Sequence, residues 1–168
     1  MTNKHLGVVV RRPGEGRGPN GYERRIKVDA AATGGAYGLM EFTSPAGAEG
    51  PLPHVHHRAE EAFYLLEGEA TIQYADQTVH ASVGSFVLIP RGVVHTHSNP
   101  GTTPNRYLEI FSPAGMEEYF VEREALGGTS PAAIRAAFEG PDADPARQDK
   151  FTALSAKYDM ERRPLPGE

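Results

Sequence analysis

Cysteine and tryptophan are both missing from this chain of 168 residues. Without cysteine there can be no disulfide, thiolate metal site or cysteine nucleophile, which fits a reducing cytoplasm; any metal has to be held by histidine and carboxylate. Long apolar runs are missing too. None approaches the roughly 18 residues of a membrane span, and the start, MTNKHLGVVVRRPGEG, meets two arginines after a short apolar stretch, so neither a membrane partner nor an export signal is expected. A basic surplus is also lacking. The formal charge is -5, and lysine and arginine form no stripe with interleaved aromatics, which argues against nucleic acid as a partner. What the chain does have is turn formers, 19 glycines and 14 prolines, in a length that suits one domain with a real core. That profile favours an all-β or α+β fold.

Residues 12–21, RPGEGRGPNG, read as a loop, an arm or lid, because glycine and proline break both ladder types and nothing apolar anchors them. From there the pattern is of short period-two runs separated by turns: RRIKVDA, YGLMEFT, AFYLLEG, EATIQYA, QTVHAS, SFVLIP, VVHTHSN and RYLEIFS. Such runs build a sandwich or barrel, and the short turns at Glu67-Gly68-Glu69 and Ala75-Asp76-Gln77 imply antiparallel hairpins. After Phe111 the period moves towards 3.6. Ser112-Pro113, Ser130-Pro131 and Asp144-Pro145 each give a helix start, followed by Met116, Tyr119 and Phe120, by Ile134 and Phe138, and by Phe151, Leu154 and Tyr158. These stripes are expected to cover a core on the outside of the sheet. The chain thus divides into an N-terminal strand or arm with a flexible loop (1–24), a β domain (25–112), a helical extension (113–160) and a mobile tail (161–168).

Five of the seven histidines fall in two segments, His54, His56 and His57 in one and His95 and His97 in the other. On a strand, residues two apart share a face, so His54 and His56 form a chelating pair while His57 points away. His95 and His97 also share a face, and parity cannot choose between them. Neutral imidazole with carboxylate suits Fe, Mn, Ni, Co, Cu or Zn, and Glu60 and Glu61 supply the carboxylate candidates. His5, His57 and His80 read as ordinary surface or strand histidines.

The spacing His54-x-His56-x4-Glu61-x6-Gly68, followed by Gly84-x5-Pro90-x-Gly92-x2-His95-x3-Asn99, resembles the paired motifs of the cupin superfamily. The second motif matches at every signature position; in the first, the usual leading glycine falls on Ala48, with Gly47 and Gly50 nearby. The resemblance implies an all-β fold, a single cupin jelly-roll barrel over residues 25–112 with the C-terminal helices packed outside it. It also implies one divalent transition metal held by His54, His56, Glu61 and His95, with Glu60 left as an exposed neighbour and His97 near the metal or pocket wall. Parity concurs on the glutamate, since Glu61, Phe63 and Leu65 would face inward together. Gly68 and Gly84 would supply positive φ at strand junctions, and Asn99 would hold a turn.

Pocket walls are expected from Met40, Phe63, Leu65, Phe86, Leu88, His97, Tyr107 and Phe111. An apolar wall of that kind suits an aromatic or enolic molecule better than a sugar phosphate, which would call for inward arginine or lysine. The texture of PHVHHRAEEAFYLLEGE and SFVLIPRGVVHTHSN looks like that of small single-domain cupins grouped with quercetin dioxygenases. That implies an enzyme, a metal-dependent dioxygenase of a flavonol-like molecule with O2 as co-substrate and Glu61 as ligand and base. The alternatives are a metal-dependent isomerase or polyketide-type cyclase, and a non-catalytic small-molecule binding or sensing cupin. Barrels of this kind pair, and LGVVV could add a strand to a neighbour, so a homodimer is expected.

Overall fold

The computed structural model describes residues 7–18, 24–141 and 143–167, so His5, Leu6 and the end of the 12–21 loop lie outside the described residues. Strands form where the alternation runs. β1 (Arg24–Val28) leads through the single-turn α1 (Ala30–Thr33) into β2 (Gly38–Ser44); β3 (His54–His56), β4 (Glu60–Glu67), β5 (Glu69–Tyr74) and β6 (Gln77–Ser82) follow. Then come β7 (Phe86–Ile89), β8 (His95–Ser98) and β9 (Asn105–Ser112), three helices, α2 (Met116–Ala125), α3 (Pro131–Phe138) and α4 (Pro145–Lys157), and β10 (Met160–Arg162). They assemble into two five-stranded sheets, β1-β2-β9-β4-β7 and β10-β3-β8-β5-β6, with every pair antiparallel. Gly68 (φ 70) and Gly84 (φ 84) sit at strand junctions in the left-handed region, where a side chain would be strained.

Register decides what faces the interior. β4 pairs with β7 through Glu61↔Ile89 and Phe63↔Val87, and with β9 through Glu61↔Phe111, Phe63↔Glu109 and Leu65↔Tyr107. Directly opposed residues share a face, so Glu61, Phe63, Leu65, Val87, Ile89, Tyr107, Glu109 and Phe111 all lie on one side. Phe63, Leu65, Ile72, Ile89 and Tyr107 close one part of the interior; Met40, Phe111, Met116, Tyr119, Leu154 and Met160 form a second cluster that ties α2, α4 and β10 to the sheets.

Three expectations need correction. Phe86 and Leu88 are not pocket residues. They are 59% and 51% exposed, because β7 turns Val87 and Ile89 inward and leaves its even positions on the outer face beside Tyr64. The first long helix does not begin at Ser112-Pro113: Ser112 still pairs with Glu60 in the sheet, and the N-cap of α2 falls three residues later, on Gly115, whose N–H donates to Glu117 Oε2 at 2.8 Å. The tail is not free either. Met160, Glu161 and Arg162 pair with His56, Val55 and His54, and Leu165 is buried. Ser130 and Asp144 do cap α3 and α4, accepting from Ala133 N at 3.1 Å and from Ala146 N at 3.0 Å. Among the described residues no helix is long and apolar enough to cross a membrane.

Candidate metal centre

β3 brings His54 and His56 to one face, β4 adds Glu61, and β8 adds His95 directly across from His54. One ligand atom from each of these four lies within 4.8 Å of the others. All four side chains are buried, His95 completely and Glu61 to 2% exposure. Glu61 Oε2 stands 2.9 Å from His95 Nε2 and 3.0 Å from His56 Nε2. Two donors each about 2.1 Å from one ion stand about 3.0 Å apart at a right angle, so this crowding matches a shared cation.

The ring orientations are fixed from behind. His54 Nδ1 is 3.0 Å from the Leu52 carbonyl and His95 Nδ1 is 3.1 Å from the Val93 carbonyl. Nδ1–H donates outward in each, which leaves the Nε2 lone pairs aimed at the centre. His56 differs. Both its ring nitrogens are buried without a hydrogen bond, since its close approach to Glu61 lacks hydrogen-bond direction. A buried orphaned imidazole costs about 1–3 kcal/mol unless another partner joins it, and a metal is the partner this donor set fits.

Electrostatics separate the groups. Burial, helped by neighbouring imidazoles, drives the His54 pKa well below the usual value, so it stays neutral. Burial opposes charge at His95 as well, yet the Glu61 carboxylate outweighs it and raises His95. Glu61 remains ionised: burial works against it, but the imidazole of His95, hydrogen-bonded to it, together with Glu109 and the adjacent ring of His56, holds its pKa well below the carboxylate range. Glu109 goes the other way, raised by burial and by Glu61, so its carboxyl O–H donates to Glu61.

The centre opens on a cavity of about 620 Å³. His54, His56, Glu61 and His97 line it from one side; Phe42, Tyr107, Phe111, Tyr119 and Phe120 supply aromatic wall. Phe42 stacks on Tyr107 at 5.5 Å and meets Phe120 edge-on at 5.4 Å. His97 packs its ring 5.0 Å from Phe63, and burial lowers its pKa to about 4. Of the expected wall residues, His97, Tyr107 and Phe111 border the cavity, while Met40, Phe63 and Leu65 belong to the packed core around it. The other polar candidates are elsewhere. Glu60 accepts from Arg91 at 2.9 Å, His57 pairs with Glu161 at 3.1 Å, and His80 lies 3.3 Å from the Thr71 hydroxyl. Asn99 holds its turn, donating to the carbonyls of Pro45 and Thr103 at 2.9 Å and accepting from Gly101 N at 3.0 Å.

Sequence reasoning missed Glu109 and three arginines on the cavity wall, Arg24, Arg123 and Arg162. It also missed that α2 and α3 help to enclose the cavity, through Tyr119, Phe120, Arg123, Pro131 and Ile134. Glu109 had a signal, since it alternates with Tyr107 and Phe111, and Arg24 alternates with Ile26. Arg123 had none, because its direction depends on how α2 docks.

A model of the family described as Cupin domain matches residues 40–111, which hold both motifs and all four clustered side chains. Residues 40–111 are a cupin domain. The structure of KdgF from Halomonas sp. superposes with a TM-score of 0.54 at 17% identity, covering 67% of this chain and 99% of that one, a likeness of fold. Quercetin 2,3-dioxygenase of Aspergillus japonicus is 31% identical over 104 residues, 57% of this chain and 29% of that protein. The alginate biosynthesis protein AlgA of Pseudomonas aeruginosa is 29% identical over 109 residues, 64% of this chain and 22% of that protein. The chain therefore spans less than a third of the length of these curated relatives.

Proposed function

We propose that this cupin is a metal-dependent enzyme that oxidises an aromatic or enolic small molecule, flavonol-like in shape, with O2 as co-substrate. The observation that carries the reading is the orphaned His56 imidazole, packed against Glu61 and two further histidines at the inner end of an aromatic cavity. His54, His56, Glu61 and His95 would hold one divalent transition metal. Such an ion, when bound, polarises an enol or phenol oxygen of the substrate and lowers its proton affinity. Phe42, Tyr107, Phe111 and Phe120 would hold the ring system by its faces and keep water from it. Glu61 would take the hydroxyl proton. The same hydrogen bonds that keep it ionised lower its basicity, so proton transfer requires some of them to lengthen as substrate enters. The 31% identity to a quercetin 2,3-dioxygenase supports this choice of reaction.

One observation favours a second reading. Glu61 is ionised and Glu109, hydrogen-bonded to it, is protonated, so the pair could take a proton from one substrate atom and return one to another. That is the chemistry of an isomerase or cyclase, and it needs no O2. Oxygen uptake by metal-reconstituted protein with quercetin and with simple enediols separates the two. Uptake matched to substrate loss supports the dioxygenase, conversion without uptake supports the isomerase or cyclase, and binding without conversion leaves a sensor. We further propose that the protein acts as a homodimer.

A further inference from the structure

The cavity holds more positive charge than its aromatic wall requires. Arg24 and Arg123 are 4% and 6% exposed and both pack against Phe120, their guanidinium carbons 5.4 and 4.8 Å from its ring centre. Arg162 is half-buried on the same cavity wall. Arg24 has a counter-ion, Glu124 Oε2 at 2.9 Å. Arg123 has no ion pair among the described residues, and its Nε is buried with no hydrogen-bond partner. The buried carboxyl nearest in charge, Glu109, is not at ion-pair distance and is engaged with Glu61. A guanidinium held out of water without an anion is costly, and ring faces compensate only part of that cost.

We propose that Arg123, with Arg24 beside it, is the binding group for a carboxylate on the substrate. The proposal rests on the reading of this cavity as the substrate pocket, and it narrows the substrate class from any aromatic or enolic molecule to an aromatic or enolic carboxylic acid. The planar fork of a guanidinium matches a carboxylate, and the dry surroundings that make Arg123 costly alone strengthen the pair once formed. The acid would lie along the aromatic wall, with its carboxylate at α2 and its enol or phenol oxygen towards the histidine cluster. A cavity of about 620 Å³ accommodates a one- or two-ring acid.

Calorimetry with benzoate and its uncharged isostere benzamide tests this, on the full chain both metal-free and metal-loaded. Benzoate is expected to bind about tenfold or more tighter than benzamide in both forms. Arg123→Gln is expected to erase that preference while leaving benzamide within about twofold, and Arg123→Lys, which keeps charge and stem, to retain part of it. Equal binding of the two probes by the unsubstituted metal-free protein would overturn the proposal without recourse to any variant. An equal loss of both probes in a folded Arg123→Gln protein would also overturn it, since that marks a packing role. So would a preference that survives in Arg123→Gln and vanishes with the metal, since the carboxylate is then a metal ligand. Metal content measured on the same samples keeps the two readings apart: an Arg123-dependent preference in protein that takes up no metal supports this subsite and removes the metal centre, whereas full metal uptake without the preference does the reverse.

Discussion

His56 is the residue whose surroundings make least sense in a purely structural role, with two buried nitrogens and no hydrogen bond. His56→Ala should therefore cost the protein its metal, about 100-fold or more in affinity, while leaving the fold intact, as read by chelator competition and circular dichroism. Glu61→Gln should keep much of the metal and lose turnover; unchanged turnover would remove Glu61 as base. The pH dependence follows from His95. Its raised pKa means that the metal-free protein retains a proton there to a higher pH than free imidazole does, and the metal has to displace it. His54, with a lowered pKa, offers no such competition. Metal affinity should accordingly fall as pH drops from about 8 to about 6, and an affinity flat across that range would contradict the Glu61–His95 coupling. The clustering of these side chains was legible in the sequence: the motif resemblance, through its spacing to Gly68, and strand parity both pointed to Glu61 rather than Glu60. Arg123 was not legible, because a helix face acquires its meaning from the surface it docks on.

At the scale of elements, the strand that carries His54 and His56 is only three residues long and is held on one side by β10. The metal pair thus depends on a strand about a hundred residues further along the chain. Deleting residues 160–168 removes the ladder opposite His54 and His56 and the burial of Met160 and Leu165, each side chain worth about 1.5–3 kcal/mol. The truncated protein should melt lower by an amount corresponding to about 3–6 kcal/mol and bind metal more weakly; wild-type melting and affinity would show that β3 is held by the rest of the sheet alone. Short, charged MER has no period-two apolar signal, so this strand exists through its pairing and could not be read from its own residues. The early strands and the caps at Ser130 and Asp144 could be, since alternation and a capping oxygen are local properties. The start of α2 could not, because Ser112 is claimed by the sheet before the helix can use it.

For the molecule as a whole, the outward face of β4 and β7 presents Tyr64, Phe86 and Leu88, 40–59% exposed, and Val8–Val10 are exposed on the arm. A second copy of the chain covering this face fits the expected homodimer. Sedimentation at micromolar concentration should show a dimer, and Phe86→Ser with Leu88→Ser should shift it to monomer without loss of metal; a monomeric unsubstituted protein would refute the pairing. The all-β architecture was legible because alternating runs outnumber every other signal. The identity of the inward face of β7 was not, since both Phe86/Leu88 and Val87/Ile89 are apolar and only the register with β4 decides between them. The most direct test of the account is elemental analysis of the purified chain. It predicts close to one divalent transition metal per chain after reconstitution and close to none in His56→Ala; less than about 0.2 per chain in the unsubstituted protein, with no gain on reconstitution, would contradict it.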